Sequence, residues 1–289
     1  MMRITLFILT NLSIILFLKL ILIIMGIKIN SIYMVMTVLF SFIGSLISLI
    51  MSKWITLKYI NGKIIKIPKN EKENILINII KKQANITKIK TPTMVIYDSS
   101  EINAFATGIN KNSSIIALST ELINRMKYEE IEAVIAHEIS HISNGDMITM
   151  TLLQGIMNTI VFFLSNIISQ IFLTTIIQNK EESRNNKYLY FLISFIIELT
   201  FGLIASIIIM WFSRTREFRA DAGSAKIVGK NKMLSVLYKM KEEKNNNIIN
   251  NKLINTFLIY GKSKSFFNLF MTHPSIDKRI KALKENLYY

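Results

Sequence analysis

Four apolar runs constrain this chain more than any other feature of it. Residues 4–25, 31–52, 152–178 and 188–212 are nearly free of charge, and each matches the roughly 20 residues that cross a bilayer as a helix. Inside a bilayer every backbone N–H and C=O must be satisfied within its own segment, so such runs have to be helical. Hydrophobic residues make up 51% of the chain and mean hydropathy is +0.38, more apolar than an ordinary soluble domain. The first run reads as a span and not as a cleaved leader. No small-x-small site follows it, and a second apolar run begins almost at once after the turn at Gly26 to Asn30. Lys19 lies near the far end of that first span, where its stem can reach the interface.

Paired as two hairpins, the spans leave two polar blocks, 53–146 and 213–289, on one side of the membrane. Arg3, Lys53, Lys58, Lys63 and Lys66 gather there, which by the positive-inside rule marks the cytoplasm and puts both termini in it. The loop from Asn179 to Lys187 falls on the far side. The formal charge of +16 is spread over scattered lysines with no stripe of interleaved aromatics, so no nucleic-acid partner is expected. Glu198 stands in the middle of the fourth span, where a protonated carboxyl bonded to Gln154 or Gln170 is the plainer expectation and a gating role the sharper one.

The first block alternates helical and β patterns. Asn70 can cap a helix with Glu71 and Glu73 in its first turn and Ile75, Leu76, Ile79 and Ile80 as its buried stripe. Three β-prone runs follow, Thr93 to Tyr97, Ala104 to Thr107 and Ser114 to Leu118, with a hairpin turn between the last two. A short helix from Ser119 or Thr120 to about Met126 precedes a longer one that starts near Tyr128 and stops at Asn144-Gly145. In that longer helix Ile131, Val134, Ile135, Ile139 and Ile142 form the expected core stripe. Asn245 to Asn247 and Asn250-Asn251 read as a loose surface loop.

The longer helix carries His137-Glu138-Ile139-Ser140-His141. Positions i and i+4 share a helical face, so both imidazoles can grip one ion while Glu138 reaches a water beside it. The chain has no cysteine, so any metal must be held by His, Asp or Glu. Catalytic zinc takes three protein ligands and keeps one position open. A third histidine six residues on is excluded, because Asn144 and Met147 hold the positions that such a site needs. A carboxylate on another helix is the alternative, and Glu217 with Asp221 lies on one face in the run Ser213 to Asp221. Glu217 would then be the third ligand and Asp221 would fix a ligand histidine from behind. His141 stands just before the third span and Glu217 just after the fourth, so an antiparallel helix pair delivers both to one place. His273 and Arg279, in the last block, are candidates for holding an oxyanion or gating the site.

The motif, the two spans that follow it, SRTREFRAD, NAFATG (Asn103 to Gly108), HEISHISNGD and a late THP together resemble the HtpX family of bacterial membrane proteases, which is related to the CAAX prenyl proteases. The resemblance covers nearly the whole chain. It implies a mainly α integral membrane protein of the bacterial inner membrane, with four transmembrane helices and a cytoplasmic α+β catalytic domain of zincin-like, gluzincin type with a small β-sheet. It further implies one Zn2+ per chain held by His137, His141 and Glu217, with Glu138 as the catalytic base. Asn103, Ala104, Phe105 and Ala106 would form an edge strand that an extended substrate joins. Misfolded or damaged membrane proteins are the implied substrates, in stress-response quality control that overlaps with other membrane proteases. Two other readings stay open: a catalytically silent scaffold stabilised by zinc, and a CAAX-type protease acting on lipidated tails.

Overall fold

The computed structural model describes residues 43, 44, 47, 49–176, 187–250 and 273–288; the side chains of 170, 173–190 and 244–250 are not described. The chain forms two compact units, one of residues 1–48 and 149–209, the other of 49–148 and 210–289.

The second unit is built on a four-stranded sheet. Its strands are β1 (Lys63–Ile65), β2 (Thr93–Tyr97), β3 (Ala104–Gly108) and β4 (Ser114–Ser119), in the order β1-β2-β4-β3. β2 and β4 run parallel, while β1 and β3 flank them antiparallel as edges. The hairpin expected between β3 and β4 forms, with Ala104 opposite Leu118 and Gly108 opposite Ser114. β1 was not expected. Three residues are too few to show an alternation, and only pairing with β2 makes a strand of them.

The central strand β4 is buried along its whole length, so it must feed both faces of the sheet. Ile116 and Leu118 join the main core, and Ile115 and Ala117 pack on the other face with Val95 and Tyr97. That second face is covered by Leu57 and Ile60; residues 49–59 are helical.

Helix α1 (Glu71–Ile86) starts as expected, with the Asn70 side chain accepting from the Glu73 backbone N–H at 2.7 Å. Its Leu76, Ile80 and Ala84 enter the main core beside Ile131, Ile135, Ile139 and Ile142 of α3 (Tyr128–Asn144). The short α2 (Thr120–Arg125), capped by the Ser119 hydroxyl, joins β4 to α3. Four of the five expected stripe residues of α3 are buried. Val134 is only partly so, because it borders a cavity.

Among the described residues two helices are long and apolar enough to cross a membrane, Asp146–Ser169 within α4 (Asp146–Ile176) and Phe191–Val228 within α5 (Lys187–Val228). The expected spans 4–25 and 31–52 lie outside the described residues, apart from the end of the second. Within the first unit Met157 and Val161 of α4 pack with Ala205 and Ile209 of α5. The Glu198 side chain is exposed on α5, and of its two expected partners Gln154 instead donates to Asn158 at 2.8 Å, while the side chain of Gln170 lies outside the described residues. Helix α6 (Lys230–Asn250) departs from expectation, since its backbone stays helical through Asn245 to Asn247 and Asn250, while Asn251 lies outside the described residues. An established helix gains one hydrogen bond for each residue added, which outweighs a weak propensity. α7 (Ile276–Lys284) closes the unit, placing Ile280 and Leu283 in the main core.

Candidate metal centre

α3 owes its position to both ends. At its start the Glu130 carboxylate accepts the Lys127 backbone N–H at 2.9 Å. At its end Gly145 turns left-handed, with φ of 67°, and sends the chain into α4. That turn brings Asp146 back over the helix, where its Oδ2 meets His141 Nδ1 at 2.6 Å. α5 crosses α3 through small residues. Ser224 Oγ donates to the Ala133 carbonyl at 2.8 Å, and a Cβ on Gly223 would stand 2.5 Å from Ser140 Oγ. Only a glycine lets the helices meet this closely, and the crossing carries Glu217 to the two histidines.

His137, His141 and Glu217 form one cluster, each offering a ligand atom within 4.8 Å of the others. The two Nε2 atoms are 3.1 Å apart, Glu217 Oε1 lies 3.3 Å from His141 Nε2, and Oε2 lies 3.6 Å from His137 Nε2. Ligands about 2.0–2.1 Å from a tetrahedral ion stand about 3.3 Å from one another. The donor set therefore has edge lengths that fit an ion held tetrahedrally.

The far sides of both rings are held by carboxylates. Asp221 Oδ1 is 3.0 Å from His137 Nδ1, near enough for an ion pair although not aligned as a hydrogen bond, and Asp146 holds His141. A proton kept on each Nδ1 leaves each Nε2 lone pair facing the centre. Asp221 was anticipated from its spacing. Asp146 was not: it stands in the expected motif, but only the turn at Gly145 aims it at His141.

Burial disfavours a charged His137, yet the carboxylates of Asp221 and Glu217 outweigh it and push the imidazole up to about 10. His141 is raised in the same way, its burial overcome by Asp146 and Glu217. The cluster thus calls for positive charge where the Nε2 atoms face each other. Burial raises the Glu138 carboxyl above the usual range, opposed by the nearby histidines. A raised carboxyl suits a group that must take a proton and give it back.

The Ala106 backbone of β3 faces Glu138 and tempers the rise of its carboxyl. Ser119 N–H donates to the Asn103 carbonyl at 3.0 Å, and with the observed register residues 105 and 107 direct their backbone groups to β4. Ala104 and Ala106 then direct theirs to the free edge. Phe105 points its ring at Tyr97, 5.7 Å between centroids, and so belongs to the packing of the sheet.

His273 Nδ1 lies 2.8 Å from Glu217 Oε2, and its side chain is 64% exposed. Arg279 is placed differently from the oxyanion role expected of it. Its Nε and one terminal nitrogen donate to Asp221 at 2.8 and 2.6 Å in a buried fork. A guanidinium committed in this way positions Asp221, and through it His137. Expectation missed this because the partner lies far away in sequence.

Residues 70–287 match the model of peptidase family M48. The chain is 53% identical over 294 residues to the protease HtpX of Wigglesworthia glossinidia brevipalpis, covering 100% of this chain and 99% of the relative. It is 52% identical over 297 residues to protease HtpX of Buchnera aphidicola subsp. Schizaphis graminum, covering both in full, and 48% identical to that of Yersinia enterocolitica, covering 100% and 99%. Its fold is similar to that of S. mikatae Ste24p, with a TM-score of 0.63 at 19% identity over 95% of this chain and 62% of that one. The sequence matches and the His-His-Glu cluster agree: this chain belongs to peptidase family M48, among its HtpX proteases, and is a metalloprotease.

Proposed function

We propose that the chain is a zinc endopeptidase of the bacterial inner membrane that cuts misfolded or damaged membrane proteins. His137, His141 and Glu217 hold the zinc, and their tetrahedral spacing is the observation that carries the reading. A bound zinc supplies Lewis acidity and a lowered pKa for a nearby water. Glu138 takes the proton of the attacking water and passes it to the leaving amine. The Ala106 backbone beside Glu138 belongs to β3, an edge strand to which an extended peptide adds as a further strand. His273 stands nearest to stabilise the developing oxyanion. Asp146 and Asp221 hold the ligand rings, and Arg279 holds Asp221.

Four spans, 4–25, 31–52, 152–178 and 188–212, anchor the chain, with blocks 53–146 and 213–289 in the cytoplasm. The two apolar helices and the positive-inside count support this arrangement. The test is protein purified in detergent, assayed for bound zinc and for cleavage of an unfolded protein. Glu138→Gln is expected to keep one zinc per chain and to lose cleavage by about a hundredfold or more. Full activity in that variant overturns the mechanism, and a wild type with zinc but no cleavage of any protein favours the silent scaffold.

A further inference from the structure

Away from the metal centre, the second unit leaves an apolar face uncovered where the proposed second span enters it. Residues 49–59 are helical, and one side of that helix packs Leu57 on the sheet, joined by Ile60 just past its end. The other side carries Ile50, Trp54, Ile55 and Tyr59, all exposed and sharing a face at helical spacing. The bare surface continues into β1. Ile64 stands opposite Val95, which belongs to the helix-covered face of the sheet, so Ile64 turns to the same side as the helix. Ile67 follows in the next turn. Tyr59 is 89% exposed and Ile67 79%, and a contiguous apolar patch of this kind marks an interaction site.

Charge identifies the occupant. Lys58, Lys63 and Lys66 are exposed among these side chains, and no Asp or Glu occurs in the chain before Glu71. The Lys58 ammonium lies over the Trp54 ring, 5.2 Å from its centroid, so cation and apolar surface are presented together. Lysines on an edge strand also guard it against pairing, but that purpose is not served by leaving Ile64 and Ile67 bare beside them. A second copy related by a two-fold axis would set the lysines against themselves. An anionic lipid surface meets both demands, its acyl carbons taking the apolar groups and its phosphates the ammonium groups. Position agrees, since a helix leaving the hydrocarbon at residue 52 carries Trp54 about 3 Å and Tyr59 about 10 Å past it, across the headgroup layer. We propose that helix 49–59, β1 and the turn after it form a docking face for anionic phospholipid headgroups, which holds the catalytic unit against the bilayer. β1 and β3 are opposite edges of the sheet, so lipid on the one leaves the other to substrate. The proposal rests on the membrane topology given above and adds to it the class of lipid that the protein selects.

The test uses the full chain in vesicles of phosphatidylglycerol and phosphatidylcholine in equal parts, and reads tryptophan fluorescence without any cleavage assay. The chain has two tryptophans, so Trp211→Phe leaves Trp54 alone, and Trp54→Phe with Trp211→Phe gives a silent background for Ile67→Trp. Lipids brominated on their acyl chains quench only an indole that reaches the bilayer. The probes at positions 54 and 67 are both expected to be quenched, at least about threefold more strongly by brominated phosphatidylglycerol than by brominated phosphatidylcholine. Changing Lys58, Lys63 and Lys66 together to Gln, or raising salt to about 1 M, is expected to abolish that preference. An unquenched probe at position 67, or equal quenching by the two lipids, overturns the proposal. Shielding of Trp54 that appears only as protein concentration rises, with no quenching by lipid, overturns it in favour of a second copy. Trp54→Phe alone leaves Trp211, at the end of the proposed fourth span, as a control. If Trp211 also escapes quenching, the topology and the docking face fail together, whereas quenching there with none at position 67 removes the docking face alone.

Discussion

Two carboxylates of like chemistry, Asp146 and Asp221, stand behind the two ring nitrogens of the site, and they were unequally legible. Asp221 shares a helical face with Glu217, so regular spacing exposes it. Asp146 follows a residue at positive φ, and no periodicity crosses such a turn. Asp146→Ala is expected to weaken metal binding about 10–100-fold, measured by competition with a chromogenic chelator, because His141 loses the partner that fixes its ring. Unchanged affinity would show the contact to be incidental. Glu130 provides a separate test away from the metal. Burial would raise its carboxyl, but the Lys127 N–H, the Lys239 ammonium and the Ser235 hydroxyl hold it below the usual range. A carboxyl lowered by folding contributes stability above its unfolded pKa of about 4.3 and loses it as pH falls through the folded value. Glu130→Gln should therefore cost about 0.5–2 kcal/mol at pH 7, as the loss of a helix cap does, with the gap to wild type closing below about pH 4. Unfolding followed by circular dichroism at both pH values checks this.

Among the elements, α3 was legible in full because everything that defines it is local: acids at its start, an apolar stripe and a glycine stop. β1 and the helical asparagines of α6 were not, since a short strand exists only through its partner and a helix end follows what precedes it. The crossing of α3 and α5 was also hidden, because a glycine in a helix shows its purpose only where another helix meets it. Gly223→Ala is expected to push the helices apart against Ser140 and to cost both stability, by about 1–3 kcal/mol, and zinc affinity. Ser140→Gly removes both atoms that the new methyl meets, so the double variant should recover much of the metal binding. Additive losses would show that the contact does not set ligand spacing.

For the whole molecule, the proposed spans follow from hydropathy, whereas the site has to be assembled from segments far apart in the sequence. The proposed topology is open to a clean test, since the chain has no cysteine. A single cysteine at Ser183 should react with a membrane-impermeant maleimide from outside the inner membrane, and one at Ser275 only after lysis. Labelling of Ser183→Cys only after lysis would invert the arrangement. Histidine usage carries a further practical consequence. The chain has three histidines, and all three converge on one carboxylate, that of Glu217. Selective 15N labelling of histidine would therefore give a magnetic-resonance spectrum in which every imidazole signal arises from the reaction centre. Tautomer, metal occupancy and inhibitor arrival could be followed there with no background from the remainder of the protein.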